Sequence, residues 1–556
     1  MKRTRAASRR LGSVNAVPPT ALDPRVLLAA SLAFARSGLV RPYRPDHLTR
    51  IGWGVLRYGA GPGFGPQAGA IFCPARPGIV DSDGTVSFRQ LEERCDVLAA
   101  GLAAVVSPGD SIALLARNSA GFYQTMVAAA RCGLDVLYLN TGFTAGQIAE
   151  TVTGRGVRVL VHDAEFAGKV PSGVRGIPMS GDTPASIERM AAGPRRSRGP
   201  GGPGLRRSRH IMLTSGTTGR PKDVSRTGGD IASIIALVSG LPNRAQETWL
   251  VAAPMFHSWG WMNTLLAMLF SSTIVVAERF DPERVLALAE REHCQVLVAV
   301  PAMLRLIMSL PPGVRRRYGT SALRAVTVSG SSLPPALAEA FMDEFGDILY
   351  SLYGSTEAGY AAVATPADLR AAPGTAGRPL PLVDVRVLDD QGLPCQPGTR
   401  GMIWVSSRDA AAAGPAAGGP SGTQVTAAER WRETAACTGD IGWFDEAGRL
   451  FIAGRSDDMI ITGGENVYPV EVEARLEQHP SVLEAAVAGR DDQVYGQILV
   501  AHLTLREGST ATADALRAWC RSGLAPFQVP RQFIIHDQLP HNAAGKVVKR
   551  ALPDED

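Results

Sequence analysis

Lysine is nearly missing from this 556-residue chain. Only five of its 57 basic residues are lysines (Lys2, Lys169, Lys222, Lys546 and Lys549), and the rest are arginines. Where a planar guanidinium serves, arginine stands, so a lysine inside a motif asks for a compact, rotatable point charge. Paired cysteines are missing too. The seven present (Cys73, Cys95, Cys132, Cys294, Cys395, Cys437, Cys520) are scattered, odd in number and without a C-x-x-C pair. That excludes a disulfide framework and zinc-ribbon spacing, and fits the reduced thiols of a cytoplasm. Neither basic stretch, the N-terminal Lys2–Arg10 or "RRSRGPGGPGLRRSRH" around residue 200, has an aromatic interleaved with its charges. Both read as solvated segments rather than nucleic-acid sites. No apolar run approaches the ~20 residues of a membrane span. "VLLAASLAFA" (26–35) follows "VPPTALDP", is closed by Arg36 and shows no cleavage pattern. It predicts a core or interfacial helix in a cytoplasmic protein whose membrane contact is at most peripheral.

What is present is ordinary globular material, 45% hydrophobic and 20% charged, and long enough for several packed lobes. "TVSFRQLEERCDVLAAGLAAVV" places Ser87 as an N-cap with Gln90 completing a capping box, and predicts a helix over 88–106. Strand-like "SIALLA", helical "AGFYQTMVAAARC" and strand-like "LDVLYL" follow, and the alternation returns from "PERVLALAEREHC" to "DILYSLYG". Such alternation predicts parallel sheets covered by helices, hence an α/β large domain. The expected division is an N-terminal extension and domain start at 1–84, a large domain at 85–456, and a small α+β domain at 457–556. The Arg/Gly/Pro stretch 193–209 and the Ala/Gly/Pro stretch 409–424 are too poor in apolar residues to order themselves.

Five motifs carry chemistry. In "TSGTTGRPK", Thr214, Ser215, Thr217 and Thr218 supply hydroxyls, Gly216 and Gly219 free backbone amides, and Lys222 an ammonium. Together they describe a loop that wraps a polyphosphate. The spacing is not that of G-x-x-x-x-G-K-[ST]. "LYGSTEAGY" (352–360) sets Tyr353, Gly354, Thr356 and Glu357 at the end of a predicted strand; "CTGDIGWF" (437–444) offers Asp440 after a turn. "AGRSDDMIITGGENVYPVEVE" (453–473) holds Arg455, paired acids and the Gly463-Gly464 turn, and "LPHNAAGKVVKR" (539–550) puts Lys546 after a glycine.

In order and spacing these motifs resemble the adenylate-forming superfamily of acyl-CoA synthetases, adenylation domains and beetle luciferases, over roughly residues 85–550. The resemblance implies ATP-dependent activation of a carboxylic acid to an acyl-adenylate, then transfer to CoA. In that reading the Thr214–Lys222 loop holds the β and γ phosphates, Glu357 holds Mg²⁺ and Thr356 touches phosphate. Tyr353 stacks on adenine with Gly330 and Ser331 ("VSGSSLPP") at its edge and Gly354 beside it. Asp440 and Arg455 bind the ribose. Lys546 bridges the acyl carboxylate and the α-phosphate, and His257 of "PMFHSWGWMN" lines the acyl pocket. Asp457 is the hinge from which the small domain turns to present Gly464 to CoA. Lys549, in a basic tail, is expected to be merely solvated.

Asp223 departs from the family, which has glycine after the loop lysine; at ~8 Å and an effective dielectric of about 20 it would repel a phosphate charge by roughly 2 kcal/mol. "ITGGENVYPVEVE" resembles the acyl-CoA synthetase version of this segment more than that of peptide-synthetase adenylation domains, and the N-terminal "RPDHLTRIGWGVLRYG" resembles actinobacterial fatty-acid-CoA ligases, which implies a fatty acid as substrate. Two other readings stand beside this one: a fatty-acyl-AMP ligase that loads a carrier protein, and a non-catalytic binder of acyl-adenylates. The second should have lost Lys546, Glu357 or Asp440, and this chain keeps all three.

Overall fold

A computed structural model describes residues 31–39, 44–59, 61–107, 109–193, 207–214, 222–226, 231–355, 358–406, 435–542 and 545–553. The expectations for the N-terminal basic stretch and for segment 409–424 lie outside these residues, as does all but the edges of segment 193–209.

Two sheets make the large part. A six-stranded sheet runs Arg175–Pro178, Val159–His162, Ser111–Leu115, Asp135–Tyr138, His210–Thr214, Lys222–Arg226; every pair is parallel except the last. Its inner strands Val159–His162, Ser111–Leu115 and Asp135–Tyr138 are buried almost throughout, as parallel strands covered on both faces are. A thirteen-stranded sheet has a parallel half: Pro77–Asp81, Thr273–Val276, Thr248–Val251, Val296–Ala299, Ala325–Val328 and Leu349–Ser355. The helices predicted between these strands are present. The other half differs from the parallel expectation. From Gly359–Ala364 outward through Thr375–Pro379, Leu450–Arg455, Ala436–Phe444, Gly401–Ser406 and Asp384–Leu388 the strands are antiparallel. Only the short helix Pro366–Ala371 intervenes among the described connections, between Gly359–Ala364 and Thr375–Pro379, and that connection is too short for a parallel crossover.

The capping box at Ser87 and Gln90 forms as expected, but its helix stops at Ala103, three residues before the predicted end. Helix residues Phe88, Leu91, Leu98 and Leu102 are fully buried, and the helix packs on Ala120–Arg131. The last residues of segment 193–209 are not loose. Ser208 is buried, and Arg209 pairs through two nitrogens with the buried Asp135 at 2.7–2.8 Å, leading into the strand that starts at His210.

The small part is a separate sheet of Glu465–Val467, Ile460–Thr462, Gly496–Leu505 and Val482–Asp492, with Gln532–Ile535 added along Gly496–Leu505. Helices Pro469–Glu477 and Ala513–Arg521 bury Val472, Leu476, Leu516 and Cys520 against it. Among the described residues no helix is long and apolar enough to cross a membrane.

Candidate active site

Of the predicted residues, Thr214, His257, Gly330, Ser331 and Tyr353 lie at or beyond the carboxyl ends of parallel strands, the place where open α/β sheets hold ligands. The strand Val296–Ala299 is the meeting point. Trp259 Nε1 donates to Ala299 O at 2.9 Å, fixing the start of the helix Ser258–Leu269 there. Next in the chain, Val300 lies against two glycines. A Cβ placed on Gly330 would be 3.9 Å from its Cγ1, and one on Gly545 would be 3.8 Å from its Cγ2. Gly330 follows the strand Ala325–Val328 at φ +94°, and Ser331 after it is exposed. His257, the Gly330–Ser331 turn and the Lys546 loop therefore converge on one strand end.

His257 is the N-cap of its helix, with Phe256 stacked obliquely on its ring at 4.6 Å. Its Nε2 is buried with no hydrogen-bond partner, and burial pushes its pKa down to about 4. A satisfied core histidine would have both nitrogens paired; an orphaned buried nitrogen calls for a ligand atom. Gly260 makes the tight start possible, since a Cβ there would lie 2.3 Å from Pro254 O. Tyr360 Oη donates to Ser258 O at 3.4 Å and ties the same turn to the strand Gly359–Ala364.

Tyr353 donates its hydroxyl to Asp440 Oδ2 at 2.6 Å. Asp440 and Arg455 are cross-strand partners on Ala436–Phe444 and Leu450–Arg455, with Arg455 Nη1 3.9 Å from Asp440 Oδ1. That distance is beyond a hydrogen bond, so Oδ1 keeps its lone pairs for another donor. Burial raises the Asp440 carboxyl; the Tyr353 hydroxyl, Arg455 and the Lys546 ammonium pull it back. Tyr353 is itself raised, by burial first and by the Asp440 charge second. Gly354 must be glycine, because a Cβ would lie 2.4 Å from Gly359 O.

Arg455 is more committed than expected of a ribose ligand. It forks onto Asp457 through Nε (2.9 Å) and Nη2 (3.3 Å), and Nη1 donates to Thr438 O at 3.1 Å. Asp457 is thus gripped rather than loosely solvated, and Arg455 holds its carboxyl below the usual range.

Lys546 sits in a closed turn. Its N–H donates to Asn542 Oδ1 (3.0 Å), its carbonyl accepts from Asn542 N (2.9 Å), and Gly545 at φ +75° makes the bend. Two ion pairs flank it: His541 on Glu484 at 3.0 Å, and Lys549 on Glu473 at 2.6 Å. Lys549 is therefore a paired charge and not the solvated one expected, because the turn carries it back onto the helix Pro469–Glu477.

Thr214 and Lys222 stand opposite each other in the antiparallel ladder, as do Leu213 and Asp223. Ser215, Gly216, Thr217, Thr218 and Gly219 lie outside the described residues, as do Thr356 and Glu357, which are bracketed by Ala358 N donating to Ser355 Oγ at 2.9 Å. Among the described residues no three acidic, His or Cys side chains form a metal cluster. Gly464, at φ +86°, tips the hairpin between Ile460–Thr462 and Glu465–Val467. Beside it is a cavity of about 220 Å³ lined in part by Gly463, Tyr495, Phe527 and Arg531. Sequence reasoning missed Asn542 and the acids Glu473 and Glu484, whose partners lie far off in the chain.

A family of AMP-binding enzymes matches residues 68–413, and its C-terminal domain matches 471–546. The 2-succinylbenzoate–CoA ligase of Geobacillus kaustophilus is 32% identical over 87% of this chain and 96% of its own. A feruloyl-CoA synthase of an Amycolatopsis species is 31% identical over 88% and 98%. Among solved structures, the o-succinylbenzoate CoA synthetase of Bacillus subtilis with its acyl-adenylate superposes at TM-score 0.74 and 27% identity, covering 88% of this chain and 98% of that one. The same enzyme solved with ATP and magnesium gives 0.72 and 26%.

Proposed function

Since the chain belongs to the AMP-binding enzyme family, we propose that it is an AMP-forming acid–CoA ligase using ATP, Mg²⁺ and CoA. A carboxylate oxygen attacks the α-phosphorus of ATP, the bond to the bridging oxygen breaks, and pyrophosphate leaves. The CoA thiolate then attacks the acyl carbon, and AMP departs with the oxygen. The observation that carries this reading is that the Lys546 loop meets the strand end beside the helix that His257 opens with Nε2 unpaired, while the Lys546 charge acts on Asp440, the acceptor of the Tyr353 hydroxyl.

The first step brings anions together, so the site's task is to place positive charge and donors where charge develops. The Lys546 ammonium, on a turn closed by Asn542, would span the acyl carboxylate and the α-phosphate. His257, which burial keeps neutral near pH 7, would offer Nε2–H to the acyl oxygen without adding charge. Asp440 Oδ1 would accept a ribose hydroxyl while Oδ2 fixes Tyr353 against adenine, with Gly354 and the Gly330–Ser331 backbone completing that cleft. Thr214 to Gly219 and Lys222 would enclose the terminal phosphates. Mg²⁺, which Glu357 with Thr356 would hold, offsets phosphate charge when bound. Asp457 is the proposed hinge between a large domain of 85–456 and a small one of 457–556, and Gly464 is brought to the thiol.

For the acid, we favour an aromatic carboxylic acid over the fatty acid expected at first. The two relatives act, by name, on 2-succinylbenzoate and ferulate, and the turn at His257 is walled by rings (Phe256, Trp259, Tyr360). The test is AMP and thioester formation with ATP, Mg²⁺ and CoA across benzoates, hydroxycinnamates and fatty acids of graded length, with Lys546→Ala as control. An aryl acid preferred by tenfold or more supports the assignment, and a fatty-acid optimum overturns its substrate. Adenylate without thioester points to a carrier-protein acceptor, and no turnover of any acid refutes the ligase.

A further inference from the structure

The small-domain helix Pro469–Glu477 turns Val472 and Leu476 into its own core and carries Glu471, Glu473 and Glu477 elsewhere on its surface. Two of these acids meet arginines of the large part. At the N-terminal end, Arg400 pairs with Glu471, which also accepts from Gln528 Nε2 at 2.9 Å; the Arg400 guanidinium lies 5.3 Å from the Trp443 ring and 5.7 Å from Tyr468. At the C-terminal end, Arg305 Nη2 lies 2.9 Å from Glu477. Its Nη1 lies 2.7 Å from Glu484, an ion pair without a linear N–H···O alignment. This second cluster is the drier one: the Arg305, Glu477 and Glu484 side chains are 18%, 10% and 12% exposed.

Arg305 belongs to the helix Pro301–Ser309, whose Ala302 is the nearest neighbour of Gly545: a Cβ on Gly545 would come within 2.9 Å of it. One short helix of the large part therefore touches both the loop that carries Lys546 and the acids that anchor the loop's domain. Glu484 completes the link, since it also receives His541 from that loop at 3.0 Å. A charge cluster this dry is costly to leave half-paired, so it favours one docking geometry over others nearby.

We propose that Arg305 is a positioning residue: by pairing with Glu477 and Glu484 it docks the small domain so that Lys546 lies beside the nucleotide site, and it thereby favours adenylate formation over thioester formation. This rests on the adenylate-forming reading above. Arg400 on Glu471 steadies the other end of the same helix, but it is half exposed and contributes less.

The test uses the full chain with Arg305→Met, which keeps length and removes charge. Three quantities are read: ATP–pyrophosphate exchange with the best acid, thioester formation from synthetic acyl-adenylate and CoA, and amide hydrogen exchange of segments 301–309 and 469–486 without substrates. Exchange kcat is expected to fall about tenfold, with KM for ATP within about twofold, while thioester formation from the adenylate does not fall. Amide protection should drop in both segments. Arg305→Glu combined with Glu477→Arg should restore pyrophosphate exchange that each single change loses. Unchanged pyrophosphate exchange, or equal loss of both half-reactions with protection intact, overturns the proposal. If the wild type forms no adenylate with any acid, the functional reading fails and protection alone decides. Protection kept in Arg305→Met then overturns the docking role, and protection lost upholds it.

Discussion

Asp440→Asn separates a nucleotide-binding role from a structural one. Its Oδ2 takes the Tyr353 hydroxyl at 2.6 Å, whereas Oδ1 stands 3.9 Å from the nearest guanidinium nitrogen and has no donor among the described residues. Asparagine keeps an acceptor for Tyr353 and relieves a carboxylate that burial disfavours, so the fold should be no less stable. What it removes is a charged acceptor for a ribose hydroxyl. Hydrogen bonds to charged groups contribute ~1.5–3 kcal/mol, and ~1.4 kcal/mol is tenfold. KM for ATP should rise roughly 10- to 100-fold, with kcat changed by less than about threefold because the ribose is remote from the reacting phosphorus.

The assay is ATP–pyrophosphate exchange, run on wild type and Asp440→Asn with ATP, 2′-deoxy-ATP and 3′-deoxy-ATP. If Oδ1 holds a ribose hydroxyl, one of the deoxy analogues should cost the wild type about as much as the substitution does, and cost the variant little more. Penalties that simply add would show that Asp440 and the sugar do not touch. A thermal midpoint several degrees lower would show instead that Asp440 serves the strand pairing, and the reasoning would be wrong at its root.

Gly260→Ala sets a Cβ 2.3 Å from Pro254 O, so the helix start carrying His257 must move. Expected are a loss of stability of about 1–3 kcal/mol in chemical denaturation and a KM for the acid raised more than the KM for ATP. Asn542→Ala unpins Lys546 from a 3.0 Å side-chain bond; adenylation kcat should drop about five- to tenfold by stopped-flow pyrophosphate release, with nucleotide affinity unchanged. The acid limb of stability is set in part by His257 and His210, held neutral by burial at about 4 and about 3. The unfolded chain takes up protons near pH 6.5 and the folded one does not, so stability is full above that pH and falls as pH drops toward 4. The shifts correspond to about 3 kcal/mol for His257 and about 5 kcal/mol for His210. Thermal scans of His210→Gln should show a shallower fall over that window, and an unchanged slope would refute it.

The sequence was legible wherever cause and consequence lie close together in the chain. Ser87 and Gln90 are three residues apart, and their capping box formed as read. The alternating apolar runs became buried parallel strands because each run is its own strand and the helices between enforce the crossover. The antiparallel half was not legible: its strands are shorter on apolar signal, and their pairing depends on connections too short for a crossover. The candidate site followed the same division. Tyr353, Asp440, Arg455 and Lys546 were singled out because each sits in a compact motif with its own turn chemistry, and the structure then supplied what a motif cannot, namely that Tyr353 bonds to Asp440 and that Arg455 grips Asp457. Lys549 and Arg305 were misjudged or missed for the opposite reason. Neither has a motif around it, and a basic residue in a tail or on an amphipathic helix is most often solvated. Their partners Glu473, Glu477 and Glu484 look like an ordinary solvated helix face until the small domain is laid against the large one. On the proposed reading, the candidate substrate-binding residues are written locally, while the contacts between the two parts are written across the whole chain. Only the folded molecule brings the latter together, and so Arg305 becomes visible only there.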